Sequence, residues 1–271
     1  MMDNRVLQYF DVFLLVFARM AALVFINPVF SRKGVPSMVK TGLVLALSIL
    51  ILPVAAEGSV AGPAAVNVRT VIDAYNTFEM VEALLREVIT GLVIGSVFQL
   101  FFYMLYVAGD LLDTVFGLAM GKVMDPVNGI QTSILGQFVN VFFFLYFFAT
   151  GCHLLMIKIF AYTYEVIPVG AASFVTEGIA WHMVGLFGNA FLMVIKLALP
   201  FVAAEFVLEV TMGVLMKLIP QIHVFVINIQ SKIILGILLM MLFAQPVSAF
   251  IDKYINEMMG EVQRVMMLFG A

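Results

Sequence analysis

The sequence predicts an all-α, polytopic helical membrane protein, and three observations favour this fold class. Hydrophobic residues make up 63% of the chain and charged residues only 11%, whereas a soluble domain carries about 25% charged residues. The apolar residues cluster in six long runs, and the chain is long enough for about five to seven spans of about 20 residues each. This composition excludes both a soluble domain and a disordered chain.

The apolar runs divide the chain into membrane segments and polar connections. The first run contains Asp11 and Arg19, and its length favours a retained helix over a cleaved signal peptide. The interval from Glu57 to Glu87 is acidic and predicts a loop that leads into an amphipathic helix. The six runs cover approximately residues 10–30, 41–60, 88–112, 134–159, 183–208 and 233–251.

Three stretches outside these runs have patterns of their own. Residues 117–126 are rich in glycine and end in a turn, because the residue before Pro126 disfavours helix. Residues 211–229 are apolar but contain Lys217 and Pro220, which predicts a broken or re-entrant helix pair. The tail from residue 252 predicts an amphipathic helix. Its apolar positions are Tyr254, Ile255, Met258, Met259, Val262, Val265 and Met266.

Basic residues do not fix the orientation in the membrane. The loop with Arg32, Lys33 and Lys40 favours a cytoplasmic position for that loop and an external N-terminus. If the N-terminus is external and each of the six runs crosses the membrane once, equal numbers of basic residues lie on the two sides of the membrane. Helices that do not all cross lipid in the ordinary way would give such a tie.

Patterns of catalysis and of metal binding are absent from the sequence. His153, His182 and His223 lie too far apart for a zinc-protease helix, and Cys152 alone matches no disulfide or paired metal motif. No serine lies in a Gly-x-Ser-x-Gly elbow. The net charge of -3 argues against a nucleic-acid partner. The sequence therefore predicts no catalytic residue, no metal, no cofactor and no nucleic acid.

Some basic residues lie inside apolar runs, where a charge at the helix centre costs about 2.5–3.5 kcal/mol on insertion scales. The clearest cases are Arg19 and Lys196. Each is explained either by a buried pair that fixes helix packing or by a conducting or proton-relay position. We favour the buried pair.

Two pairs of acidic residues are each close in sequence. Glu205 and Glu209 are one helical turn apart and share a face, where they either bind a cation or mark the polar end of their run. Asp110 and Asp113 are three residues apart at the end of the third run, just after a glycine, and a solvated helix end is the favoured interpretation.

Glycine spacing predicts close helix contacts and one flexible loop. Gly91 and Gly95 are four residues apart, as are Gly117 and Gly121, and this spacing lets helix backbones approach closely. The chain has 26 Phe and 19 Met, which fill cores or face lipid. On a flexible loop they would also suit a pore seal, because thioethers conform to varied surfaces. The apolar loop residues are Phe116, Met120 and Met124.

Four blocks of motif residues follow one another in a fixed order. They lie within residues 18–43, 108–126, 136–170 and 220–233. No single motif is specific, but the ordered set covers almost the whole chain. The motif residues are Pro36, Gly109, Asp110, His153, Pro168, Gly170, Pro220, Gln221, Phe225 and Lys232.

This ordered set resembles the family of the flagellar biosynthesis protein FliR and its virulence-secretion relatives, the export-gate T subunits. The fourth block departs from the family pattern. His223, Asn228 and Gln230 stand where the family often has Asn, Gly and Pro. The local kink is therefore expected to differ in this chain.

The resemblance implies a fold and a plug. The implied fold is a FliP-like helical half over residues 1–175 and a FliQ-like helical hairpin half, with the amphipathic tail, over residues 176–271. Both halves would belong to a cone-shaped helical gate. The family's plug loop maps near residues 112–126. Its candidate residues are Phe116, Gly117, Met120, Gly121, Met124, Asp125 and Pro126.

The resemblance also implies a function and partners. Proteins of this family form, with FliP and FliQ, the non-enzymatic gate for unfolded flagellar subunits across the bacterial inner membrane, in the flagellar basal body. FlhB and FlhA are further implied partners, and lipid borders the complex.

Three other interpretations stay open at this point. A virulence (injectisome) export-gate T subunit shares the same motifs. A small-solute transporter would use Arg19, Lys196 and Glu205 as a substrate or proton site. A membrane enzyme would need a catalytic group that the sequence does not show.

Overall fold

The described part of the protein is helical. The computed structural model describes residues 2–32, 34–57, 76–119, 133–172, 177–219 and 224–270. Within these ranges the chain forms eight α-helices and no strand, which confirms the predicted all-α class. The helices are α1 Met2–Ile26, α2 Ser37–Glu57, α3 Thr77–Val115, α4 Ile134–Ala149, α5 Cys152–Val166, α6 Glu177–Leu218, α7 Val224–Leu242 and α8 Ala244–Gly270.

Helix length and composition are those of a membrane protein. Within the described ranges, α2, α3 and α6 are each long and apolar enough to cross a membrane. The bent pairs α4–α5 and α7–α8 raise the number to five if each pair is one span. The fourth predicted run thus breaks at Gly151, whose φ of 73° lies in the left-handed region that glycine tolerates. The sixth predicted run breaks at Phe243.

The described residues form two compact units, each built from separate stretches of the chain. The proposed division into halves near residue 175 rests on the resemblance alone and stays a prediction. Unit 1 consists of Met1–Leu100, Phe148–Leu186 and Met258–Ala271, and unit 2 consists of Phe101–Phe147 and Phe187–Glu257.

In unit 1, two glycines of α3 bring its backbone against α1. A Cβ atom on Gly91 would lie 2.6 Å from the carbonyl oxygen of Arg19, and one on Gly95 would lie 2.0 Å from Cγ2 of Ile26. A larger residue at Gly91 would displace the backbone of α1, and one at Gly95 would displace the side chain of Ile26 on α1. The close approach that the glycine spacing predicts here is therefore confirmed.

In unit 2, aromatic side chains and a second glycine contact join α3 to α4. Phe102 packs edge-to-face against Phe143 and Phe144, with ring centroids 4.8 and 5.2 Å apart. Such pairs add about 0.5–1.5 kcal/mol each to the burial of their area. A Cβ on Gly109 would lie 2.4 Å from Cα of Gly136, so these two helices also meet backbone to backbone.

Two further predictions concern the C-terminal part of the chain. The amphipathic tail is confirmed as part of α8, because the seven apolar positions from Tyr254 to Met266 that the sequence singles out are all buried. The predicted interruption within residues 211–229 agrees with the end of α6 at Leu218 and the start of α7 at Val224. Pro220 itself lies outside the described residues.

Candidate functional site

Arg19 of α1 and Glu87 of α3 form a fully buried ion pair in unit 1. Nε of Arg19 donates to Oε2 of Glu87 at 2.5 Å and Nη2 donates to Oε1 at 3.0 Å, in the fork geometry typical of arginine and carboxylate. Nη1 donates to the carbonyl oxygens of Thr163 and Ile167 at 3.1 and 2.9 Å. Glu87 also accepts a 2.8 Å hydrogen bond from the backbone N–H of Gly170. The pair ties α1 and α3 to the C-terminal end of α5.

An aromatic ring completes this network. The guanidinium carbon of Arg19 lies 4.4 Å from the ring centroid of Tyr164, whose hydroxyl donates to the carbonyl oxygen of Val16 at 3.0 Å. For Arg19 the structure therefore shows the packing pair that sequence reasoning favoured. The partner, Glu87, was missed, and its only signal was its position immediately before the third predicted run.

Lys196 and Glu205 lie on opposite faces of α6 in unit 2. Lys196 is exposed, and it has no hydrogen bond or ion pair within the described ranges. Glu205 follows about two and a half turns later and is only 3% exposed. Its two carboxylate oxygens have no hydrogen-bond partner among the residues that the structure describes. The expected buried pair is thus absent at Lys196 in this part of the chain.

Glu209 is already neutralised by a lysine. Nζ of Lys232 on α7 lies 2.5 Å from Oε1 of Glu209, whose side chain is 57% exposed. Glu205 and Glu209 share a face, as predicted, but their exposures differ widely. Within the described ranges, no three His, Cys, Asp or Glu side chains converge as metal ligands. Lys232, Glu205 and Glu209 thus contribute one ammonium and two carboxyl groups to this part of unit 2.

Phe116 anchors the start of the predicted plug segment in unit 2. Its buried ring packs edge-to-face on Phe201 of α6, with centroids 6.0 Å apart. The ring also covers Gly236 of α7, where a Cβ would lie 2.7 Å from the ring atoms. The next residue, Gly117, has φ of 76° and lies beside the aliphatic part of Lys232. The chain thus leaves α3 directly after an aromatic anchor.

The far end of that segment is held by a buried carboxylate. Asp113 of α3 accepts hydrogen bonds from the backbone N–H groups of Ile134 and Leu135 at 2.7 and 3.0 Å, which satisfies free donors at the start of α4. The hydroxyl of Tyr106 accepts from the backbone N–H of Ser133 at 3.2 Å. The expectation of a solvated end is therefore wrong for Asp113, which is buried.

The remaining plug candidates lie outside the described residues. They are Met120, Gly121, Met124, Asp125 and Pro126. Both ends of the segment that contains them, Phe116–Gly117 and Ser133, are anchored within unit 2.

The described motif residues shape the backbone in both units. The carbonyl oxygen of Pro36 accepts from the backbone N–H groups of the first turn of α2. Gly170, with φ of 77°, closes the turn after α5 that begins at Pro168. His153 stacks on Phe148 with ring centroids 4.9 Å apart, and Asp110 is half-buried on α3. Pro220 and Gln221, and the side chain of Phe225, lie outside the described residues.

Unit 2 also holds an apolar cavity of about 180 Å³. All twelve lining residues are apolar, and Leu105, Phe143, Phe201 and Ile251 are among them. Such a cavity suits a hydrocarbon chain or an aromatic side chain, and it offers no polar group to a charged solute.

Long apolar helices and a buried ion pair between two of them define an integral membrane protein of the all-α class. The chain belongs to the family described as bacterial export proteins, family 1, whose family model matches residues 10–258.

Individual relatives are similar over most of their length. The chain is 22% identical over 273 residues to the flagellar biosynthetic protein FliR of Bacillus subtilis, covering 98% of this chain and 99% of that protein. FliR of Pectobacterium carotovorum is 25% identical over 257 residues, covering 94% and 91%. The surface presentation of antigens protein SpaR of Shigella flexneri is 28% identical over 164 residues, covering 60% and 62%. The predicted resemblance to the FliR family is confirmed.

Proposed function

We propose that this chain is a non-enzymatic core subunit of the flagellar type III protein export gate in the bacterial inner membrane. The family match and the full-length similarity to flagellar FliR proteins support this proposal. The structural observation that carries it is the plug segment, whose two ends are anchored in one unit by Phe116 and by Asp113 and Ser133.

The anchors suit a plug because a plug has two mechanical requirements. Its ends must stay fixed while its middle yields to a passing polypeptide. The buried ring of Phe116 and the backbone hydrogen bonds of Asp113 fix the two ends. Between them the sequence supplies glycine and methionine, which combine backbone freedom with a soft apolar surface. Such a segment blocks ions and still moves aside for an unfolded chain.

The partners are proposed to be FliP and FliQ in the gate and FlhB and FlhA beside it. Extensive exposed apolar surface supports an assembly of this kind. The most apolar 18-residue stretches of α2 and α6 have only 28% and 22% of their residues buried within this chain. Neighbouring subunits and lipid together would cover that surface.

Two observations weigh against a small-solute transporter. Arg19 is 0% exposed and fully engaged by protein groups, so no solute reaches it. Lys196 and Glu205 lie on opposite faces of α6 and do not converge on one site. A virulence export-gate subunit is the second candidate, supported by the SpaR match, but that match covers only 60% of this chain.

The plug proposal is tested by deleting residues 117–124 from the chain in the assembled gate. We expect an ion conductance across the membrane that the intact gate lacks. Replacing Phe116 with Ala should give a smaller leak, because it loosens one anchor and leaves the segment in place. Phe206→Ala, at an exposed phenylalanine of α6, is the matched control and should not leak. Unchanged conductance in the deletion would show that this segment is not the plug.

The assembly proposal is tested separately by co-expression in mild detergent. The chain should co-purify with FliP and FliQ homologues and should accumulate poorly without them. A stable monomer that binds a small solute would overturn the proposal.

A further inference from the structure

Glu205 is a buried carboxyl group of unit 2 whose two oxygens accept no hydrogen bond from the described residues. Buried carboxylates are normally paired, because an unpaired charge away from water is costly. Glu205 lies one helical turn from Glu209 on α6, and the Cβ atoms of residues with this spacing are about 5–6 Å apart. Glu209 is paired with Lys232 of α7 at 2.5 Å. The structure therefore places a second carboxyl group next to the one that Lys232 uses.

The side chain of Lys232 suits either carboxyl group. Lysine carries a compact ammonium group on a flexible stem, so it is not restricted to one planar pairing geometry. Lys232 is only 15% exposed, whereas its partner Glu209 is 57% exposed, so this ion pair lies at the boundary between the interior of unit 2 and its surface. Lys232 attracts the charge of Glu205, and Glu209 repels it. A short movement of the ammonium group along α6 would exchange one partner for the other.

The stem of Lys232 also contacts the beginning of the plug segment. A Cβ on Gly117 would lie 3.7 Å from Cδ of Lys232. One turn further along α7, Gly236 forms the surface on which the ring of Phe116 packs. Gly117 has φ of 76°, which glycine adopts readily, so the chain changes direction at the residue that Lys232 contacts. A change in the position of Lys232 therefore reaches the point at which the plug segment leaves α3.

We propose that Lys232 is a two-position latch of the plug, which pairs with Glu209 while the plug segment is in place and with Glu205 when that segment moves aside. This inference rests on the proposed function, because it takes the segment after Phe116 to be the plug. While Gly117 packs beside the stem of Lys232, Glu205 stays buried without a counter-charge. When Gly117 moves away, the ammonium group gains a second partner, and pairing of the buried carboxyl group offsets part of the cost of opening. Glu205 is thus a positioning residue that acts on the plug through Lys232.

The test measures the ion leak of the resting gate and the export rate, each divided by the amount of assembled complex. Glu209→Gln removes the first partner and should raise the leak about two- to fivefold, the range expected for loss of a partly exposed ion pair. Glu205→Gln removes the second partner. It should leave the leak at the wild-type level but lower the export rate about tenfold, the equivalent of one hydrogen bond to a charged group. Glu205→Leu, which places an apolar side chain at this buried position, should give the same export defect.

Double variants test whether both effects pass through Lys232. Adding Glu205→Gln to Glu209→Gln should reduce the leak toward the wild-type level, because the lysine then has no second partner. Lys232→Met keeps an unbranched stem and removes the ammonium group. In that background, adding Glu205→Gln should change neither leak nor export, whereas Lys232→Arg should retain most of both functions. Lys217→Met, at an exposed lysine in the last turn of α6, is the matched control and should behave as the wild type.

Three results would overturn the inference. The first is an unchanged export rate in Glu205→Gln, and the second is a leak in Glu205→Gln as large as that in Glu209→Gln. The third is an effect of Glu205→Gln that persists in the Lys232→Met background, which would show that the carboxyl group acts without the lysine. The proposed function fails in a different way. Deletion of residues 117–124 would then leave the conductance unchanged, whereas a failed latch leaves that deletion leaky.

Discussion

Arg19 in unit 1 and Lys196 in unit 2 are both basic residues in apolar helices, but their surroundings differ. Arg19 is buried and Lys196 is exposed. The guanidinium group of Arg19 meets a carboxylate, two carbonyl oxygens and an aromatic ring, and it is 0% exposed. The ammonium group of Lys196 is exposed on α6 and makes no such contact to the described residues. One charge is satisfied inside the subunit, and the other is presented to its surroundings.

Helix α3, which pairs with Arg19 through Glu87, and helix α6, which carries Lys196, differ in burial in the same way. The most apolar 18-residue stretch of α3, which supplies Glu87, has 56% of its residues buried, whereas that of α6 has 22% buried. More of α3 than of α6 is therefore covered by other residues of this chain. A charged residue in an apolar helix is therefore not evidence of a functional site by itself. Its role depends on whether its side chain is buried within the chain or exposed at its surface.

The largest expected effect is the loss of the Arg19 pair. Arg19→Ala leaves Glu87 buried without its counter-charge, which should destabilise the chain by about 3–5 kcal/mol. We expect the amount of folded chain in membranes, measured by protease resistance and by yield of the gate complex, to fall strongly. Complexes that do form should export at the wild-type rate per complex. Normal yield with lost export would instead make Arg19 a transport residue.

Two variants serve as controls for that prediction. The double variant Arg19→Met with Glu87→Leu removes both charges and should be milder than Arg19→Ala, because no buried charge is left unpaired. Arg86→Ala removes a half-exposed arginine that pairs with Glu82 on the same helix. It should cost no more than about 1 kcal/mol, as is usual for a partly solvated pair.

The next effect concerns the contact between α3 and α4 in unit 2. Gly109→Ala places a Cβ about 2.4 Å from Cα of Gly136, a distance that forces the two backbones apart. Overpacking of this kind costs about 1–3 kcal/mol, and thermal unfolding in detergent should register it. Gly213→Ala is the matched control. The space around Gly213 is open, so alanine should be neutral or stabilising by about 1 kcal/mol at an exposed helix position.

The smallest expected effect is at Asp113. Asp113→Ala removes two hydrogen bonds from the start of α4 and should destabilise unit 2 by about 0.5–2 kcal/mol, the usual cost of a lost helix cap. Asp113→Asn keeps one acceptor oxygen and should recover part of the loss. If Asp113→Ala leaves both stability and ion leakage unchanged, Asp113 does not hold the far end of the plug segment.

The sequence predicted contacts that depend on local helix spacing, but it did not predict contacts between residues far apart in the chain. The glycine pair Gly91 and Gly95 was predicted because helix spacing alone places both residues on one face. The roles of Glu87 and Asp113 were not predicted, because their partners lie far away in sequence. Glu87 is 68 residues from Arg19, and Asp113 binds a backbone 21 and 22 residues later. Hydrophobic periodicity carries no information about contacts of that range.

The sequence by itself determined the membrane class, the helical fold and the family resemblance. Lipid offers no hydrogen bonds, so a chain with such long apolar runs has to satisfy its backbone within helices. In the structure, Lys196 and Glu205 lie on opposite faces of α6. Only the tertiary structure decided which of these faces is buried. Both faces of α6 are largely apolar, and the choice between them depends on packing against helices that are distant in sequence.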